Sequence, residues 1–85
     1  MNEPYRTRSL MLAALALLRG VKILDIIPSD EPGRSIFLLD DTDNAAYDVA
    51  FEYYQADPLV PIKALAEARS RLYNLVRDKR AEVAA

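Results

Sequence analysis

Eighty-five residues with a formal charge of -2 fit one domain with a limited core, so the stability margin is thin unless the chain self-associates. There is no cysteine and no histidine, which removes disulfides, thiolate chemistry, and the commonest metal ligand and general base. Most catalytic templates are thereby excluded, and the expectation is a non-enzymatic protein that needs no cofactor or metal.

The net charge conceals a segregation along the chain. Residues 1 to 24 carry four bases against Glu3, residues 25 to 59 nine acids against Arg34, and residues 60 to 85 six bases against three acids. The ends are basic and the middle is acidic.

Met1 to Arg6 reads as a loose arm. A helix is expected from Thr7 or Ser9, either of which can cap it, to Gly20. Leu10 to Leu18 is apolar on every face, and such a helix wants partners on more than one side. In so small a domain that points to a second copy of the chain, with Met11, Leu12 and Leu15 at the interface. The same run behind Arg6 and Arg8 has the outline of a secretion signal. It is too short to span a bilayer, which takes roughly 20 residues, and is followed by Arg19-Gly20-Val21-Lys22 where a cleavage site would lie, so a cytoplasmic protein with no membrane partner is expected.

Val21 to Ile27 and Ser35 to Leu39 are rich in branched and large apolar residues, as strands are, and Glu31-Pro32-Gly33-Arg34 supplies the turn that makes them a hairpin. Asp40, Asp41, Thr42 and Asp43 offer caps for a helix from about Asn44 to Gln55, with Ala46, Val49, Ala50 and Tyr53 on one stripe and Tyr47, Phe51 and Tyr54 beside it. Those aromatics are expected to fill the core. Asp57-Pro58-Leu59-Val60-Pro61 interrupts, and a last helix runs from about Ile62 to Lys79 with Ile62, Leu65, Ala66, Leu72, Leu75 and Val76 inward and residues 81–85 fraying. The architecture is one α+β domain over residues 1–85, ordered helix, β-hairpin, helix, helix, and homo-oligomeric.

This pattern resembles a family of small proteins of unknown function encoded by tailed bacteriophages and prophages. The resembling residues are Tyr5-Arg6-Thr7, Leu12-Ala13-Ala14, Leu17-Leu18-Arg19-Gly20, Ile36 through Thr42, Ala50 through Tyr54, Val60-Pro61, and Leu65 through Leu72-Tyr73. These are hydrophobic and turn positions, and at Arg69 to Arg71 the chain departs from the family, which has a lysine shortly before the position of Tyr73. The resemblance implies an α+β fold and a phage or mobile-element origin, and it carries no site.

The most functional-looking feature is the basic set Lys63, Arg69, Arg71, Arg77, Lys79 and Arg80 on the last helix, with Arg6 and Arg8 on the arm. At about 100° per residue Arg69, Tyr73, Arg77 and Arg80 share a stripe, cations around an aromatic, as phosphate neutralisation and base stacking require. The bland alternative is a solvated helix face. The acidic band Asp40, Asp41, Asp43, Asp48 and Glu52 suits a basic surface of a host protein, or simply caps a helix. Its spacing lacks the glycine and distal glutamate of a calcium loop. A third possibility is a nucleotide-sized ligand held between subunits by Tyr5, Arg6, Arg8 and Tyr73. A ribbon-helix-helix repressor is excluded, because the strand Ser35 to Asp40 has no basic side chain on either face to read DNA. The expectation is a phage or mobile-element accessory protein that acts by binding, with nucleic acid as the first partner and a host protein as the second.

Overall fold

The computed structural model describes residues 3–31, 34–56 and 58–84. Its first departure from expectation is at the N-terminus, where the supposed loose arm is a strand, β1 (Tyr5–Thr7). β1 pairs antiparallel with β3 (Ser35–Leu39), in the register Tyr5 to Leu39, Arg6 to Leu38 and Thr7 to Phe37. Three residues are too few to show a period-two pattern, so nothing local marks them as a strand. β3 also pairs antiparallel with β2 (Ile23–Pro28), giving the sheet order β1-β3-β2. β1 and β2 are thus parallel, with β3 in the gap between them.

Helix α1 (Leu10–Leu18) makes the crossover from β1 to β2. Ser9 is the N-cap, its Oγ accepting the Leu12 amide at 3.0 Å, while Thr7 lies in β1 and its Oγ1 accepts the Ser9 amide at 3.1 Å, fixing the turn ahead of the helix. At the other end Gly20 adopts φ +86, the Gly20 amide donates to Leu17 O at 3.1 Å and the Val21 amide to Ala16 O at 2.9 Å. That is the paired hydrogen bonding that closes a helix through a left-handed glycine, and Val21 is buried as the accompanying apolar contact.

The expectation that a second copy covers α1 is corrected. Leu12 and Leu15 are 1% and 3% exposed within a single chain, and Ala13, Ala14 and Ala16 are fully buried. α1 packs on α2, α3, β1 and β3, so its apolar circumference is covered by its own fold, and of the three proposed interface residues only Met11 reaches the surface. The missing fourth side was β1, together with the close seating of α2.

The hairpin forms as expected between Ile26 and Phe37, Ile27 and Ile36, and Pro28 and Ser35. Its turn at Pro32 and Gly33 lies outside the described residues. A bulge between Ile23 and Asp25 leaves Leu24 unpaired and exposed, which breaks the alternation on this edge strand. The core lies between one face of the sheet, through Ile26, Phe37 and Leu39, and the helices, through α1, Ala46, Ala68 and Leu72.

A 3-10 turn (Thr42–Asn44) leads into α2 (Ala45–Gln55), with Asp43 and Asn44 at φ 55 and 61. Short polar side chains tolerate that left-handed backbone. The Asp40 carboxylate accepts from the Thr42 hydroxyl at 2.6 Å and the Thr42 amide at 3.1 Å, and Asp41 reaches past the turn to cap the Tyr47 amide at 2.9 Å. α2 buries Ala46 and Ala50 against α1, whose facing side is itself alanine-rich, so the helices approach closely and leave no room for rings. Tyr47, Phe51 and Tyr54 point out, against expectation, and Phe37 on β3 is the one fully buried aromatic among the described residues.

The last helix, α3 (Ile62–Ala84), continues beyond the expected fraying point at Arg80. Leu65, Ala68, Leu72 and Val76 form its inward stripe, while Ile62, Ala66 and Leu75, expected to face inward, are exposed. Lys79 follows on the inward side and its ammonium meets the Asp25 carboxylate at 3.1 Å, tying α3 to β2.

That pair predicts a pH profile. The Ile26 amide, and then Lys79, hold the Asp25 carboxyl below its ordinary range, and Asp25 in turn raises Lys79. The Asp25 contribution is full above the ordinary carboxylate range and is lost as pH falls through the lowered value. The Lys79 contribution is full below the ordinary lysine range and is lost as pH rises through the raised one. Both groups are partly open to solvent, so the effect is small. Asp25→Asn is expected to flatten part of the acid limb of Tm against pH and leave the part due to Asp40, whose carboxyl is lowered by the Thr42 hydroxyl and amide. Circular dichroism melts across the pH range check this, and an unchanged acid limb contradicts it.

Candidate nucleic-acid interface

The turn from β1 into α1 carries Arg8 to the side of the molecule where α3 crosses β3. There Arg8, Leu10, Arg34, Ser35, Phe37, Tyr73, Val76 and Arg80 line an open cleft of about 370 Å³. Its floor is apolar, from Leu10, Phe37 and Val76, and its rim is three guanidiniums and a phenol. Residues 72 positions apart in sequence, Arg8 and Arg80, are brought to one cavity. Glu31 is also close, with its carboxylate 3.6 Å from Arg8 and 3.1 Å from Arg34. One carboxylate is thus shared by two of the cleft's arginines.

Tyr73 is half exposed and Arg69 lies over its ring at 6.0 Å, a cation–π distance. Arg77 is one turn further on, so the expected stripe of Arg69, Tyr73, Arg77 and Arg80 runs along the edge of α3 beside its buried face, and the cleft is its C-terminal end.

The structure separates the remaining basic candidates from this surface. Arg6 alternates with Thr7 in β1 and lines a different hollow of about 450 Å³ with Ile27, Pro28, Asp30 and Ile36, which Arg8 also borders. Lys79 is taken up by Asp25. Arg71 lies on the other flank of α3, about 160° around the helix from Tyr73, and Lys63 is ten residues before Tyr73, nearly three turns away. Arg34 belongs to the cleft but was not among the sequence candidates. Its signal was that it is the one base in the acidic stretch from 25 to 59.

Of the four residues expected around a ligand between subunits, Arg8 meets Tyr73 at this cleft and Arg6 at the neighbouring hollow within a single chain. The Tyr5 phenol is raised in pKa by burial and then by Tyr54, Asp41 and Tyr47. The acidic band is likewise sorted. Asp40 and Asp41 hold the strand-to-helix joint and Glu52 is ion-paired with Arg19, while Asp43 and Asp48 are exposed with no partner among the described residues. Among the described residues no group of three or more His, Cys, Asp or Glu side chains is placed to hold a metal ion, and no helix is long and apolar enough to cross a membrane.

No protein-family model, curated protein or solved structure matches the chain.

Proposed function

We propose that the protein is a non-enzymatic accessory factor that binds single-stranded nucleic acid along the edge of α3, from Arg69 through Tyr73 and Arg77 to the cleft of Arg8, Arg34 and Arg80. The observation that carries this reading is the convergence of Arg8, Arg34 and Arg80 around Tyr73 at one cleft. Guanidiniums neutralise phosphates and an exposed ring between them gives a base a surface to stack on, which together are the recurring design of single-strand grooves. The chain's net negative charge does not oppose it, because the acids are concentrated between residues 25 and 59, and Glu31 at the cleft is a single carboxylate divided between Arg8 and Arg34. The resemblance to the phage family supports a setting in the cytoplasm of an infected or lysogenic bacterium.

Fluorescence anisotropy with labelled single- and double-stranded oligonucleotides of several unrelated sequences, at low salt, tests the reading. The intact protein is expected to bind both with little sequence preference, and single strands more tightly. Tyr73→Ala is expected to weaken single-strand binding alone, by about 1 to 3 kcal/mol if one base stacks there, since duplex bases offer no open face. Absence of binding at low salt overturns the proposal.

A further inference from the structure

The outward face of α2 has no role in the fold and no role in the basic cleft. Tyr47, Phe51 and Tyr54 recur at the i, i+4, i+7 spacing of a single stripe and are 55%, 59% and 64% exposed. Tyr53 packs edge-on against Tyr54 with ring centroids 5.1 Å apart, so these two rings brace each other. Three half-exposed rings present on the order of 300 Å² of apolar surface, the size at which a patch on a small monomer is commonly functional.

The charge around the stripe decides what can cover it. From Ser35 to Ile62 the chain has no lysine or arginine, while Asp41, Asp43, Asp48 and Glu52 lie on α2 or its approach. Nucleic acid and anionic bilayers are repelled by such a rim. Two copies of the chain joined through this face on a two-fold axis would set acid against acid. A basic protein segment meets both features at once: its arginine and lysine heads reach carboxylates, and their methylene stems and cations lie on rings. Glu52 is already engaged by Arg19, which leaves Asp43 and Asp48 as the carboxylates available to a partner.

We propose that the Tyr47–Phe51–Tyr54 stripe of α2, flanked by Asp43 and Asp48, is a docking site for a basic, amphipathic segment of a partner protein. The site is separate from the cleft of Arg8, Arg34 and Arg80, so the chain carries two binding surfaces of opposite charge and does not need the nucleic-acid reading for the second.

The test uses the full chain and two fluorescein-labelled peptides of equal length, one with arginine and leucine along a helical face and one with glutamate in place of every arginine. Peptide anisotropy gives the affinity. Emission of the protein's five tyrosines, with no tryptophan to mask it, reports engagement of the rings. The basic peptide is expected to bind saturably and the acidic one not at all. Phe51→Ala is expected to weaken the basic peptide roughly tenfold or more, as loss of a central aromatic anchor does, with single-strand DNA affinity unchanged. Asp48→Lys is expected to weaken the peptide as well. No saturable binding of the basic peptide, or equal binding by parent and Phe51→Ala, overturns the proposal. Sedimentation showing a parent dimer that Phe51→Ala dissociates overturns it too, in favour of a second copy as the occupant.

Discussion

Leu12→Ala is expected to cost about 2 to 5 kcal/mol, and Leu12→Glu to leave no stable fold, because this side chain is sealed between α1's neighbours at 1% exposure. At roughly 0.05 to 0.15 kcal/mol per residue a chain of 85 residues has on the order of 4 to 13 kcal/mol in hand, so the alanine variant alone removes a large share. A carboxylate buried at that position adds a desolvation penalty. Urea denaturation followed by far-ultraviolet circular dichroism gives the alanine value, and sedimentation of the glutamate variant separates two accounts of α1. If α1 is the central helix of one chain, Leu12→Glu unfolds or aggregates. If instead it is the face of a dimer, the same variant is a folded monomer derived from a dimeric parent. Leu15→Glu is expected to behave as Leu12→Glu does, being 3% exposed.

The parts of the fold that were legible in the sequence are those with local causes. Ser9 and Gly20 bound α1 because a hydroxyl satisfies a free amide and a glycine accepts a left-handed turn, and both act within four residues. The hairpin followed from two β-rich runs and a polar break. β1 was illegible because its identity comes from pairing with β3, thirty or more residues away. Helix phase failed for a different reason. Hydrophobicity ranks Phe51 above Ala50, whereas close helix packing selects the small residue, so on α2 Ala46 and Ala50 went inward and Tyr47, Phe51 and Tyr54 stayed out, while on α3 Ala68 went inward beside Leu72 and Ile62 stayed out. The candidate site followed the same division. The stripe of Arg69, Tyr73, Arg77 and Arg80 is a consequence of helical periodicity and was readable. The addition of Arg8 and Arg34 depends on where β1 and β3 lie, and the removal of Lys79 depends on Asp25 lying opposite.

The combined variant Arg8→Ala, Arg34→Ala, Arg80→Ala is expected to bind single strands far more weakly and with a shallower dependence on salt. Each phosphate neutralised on a single strand contributes about 0.7 to the slope of log affinity against log salt, so five contacts, from Arg8, Arg34, Arg69, Arg77 and Arg80, give a slope near -3.5. Between 50 and 200 mM salt that corresponds to a loss of roughly a hundredfold for the parent, against under tenfold for a variant that keeps only Arg69 and Arg77. The Arg8 and Arg34 ion pairs to Glu31 are more than half exposed and contribute little to stability, and a circular dichroism melt of each variant checks that it is folded. Glu31 supplies the opposite control. Its carboxylate competes with phosphate for both arginines, so Glu31→Gln is expected to raise affinity and steepen the slope, while the same substitution on the triple variant changes little. Anisotropy titrations of the four proteins at stepped salt concentrations measure all of this together. Parallel slopes for parent and triple variant would mean that the arginines of the cleft do not touch phosphate, and that any binding comes from cations elsewhere on the chain.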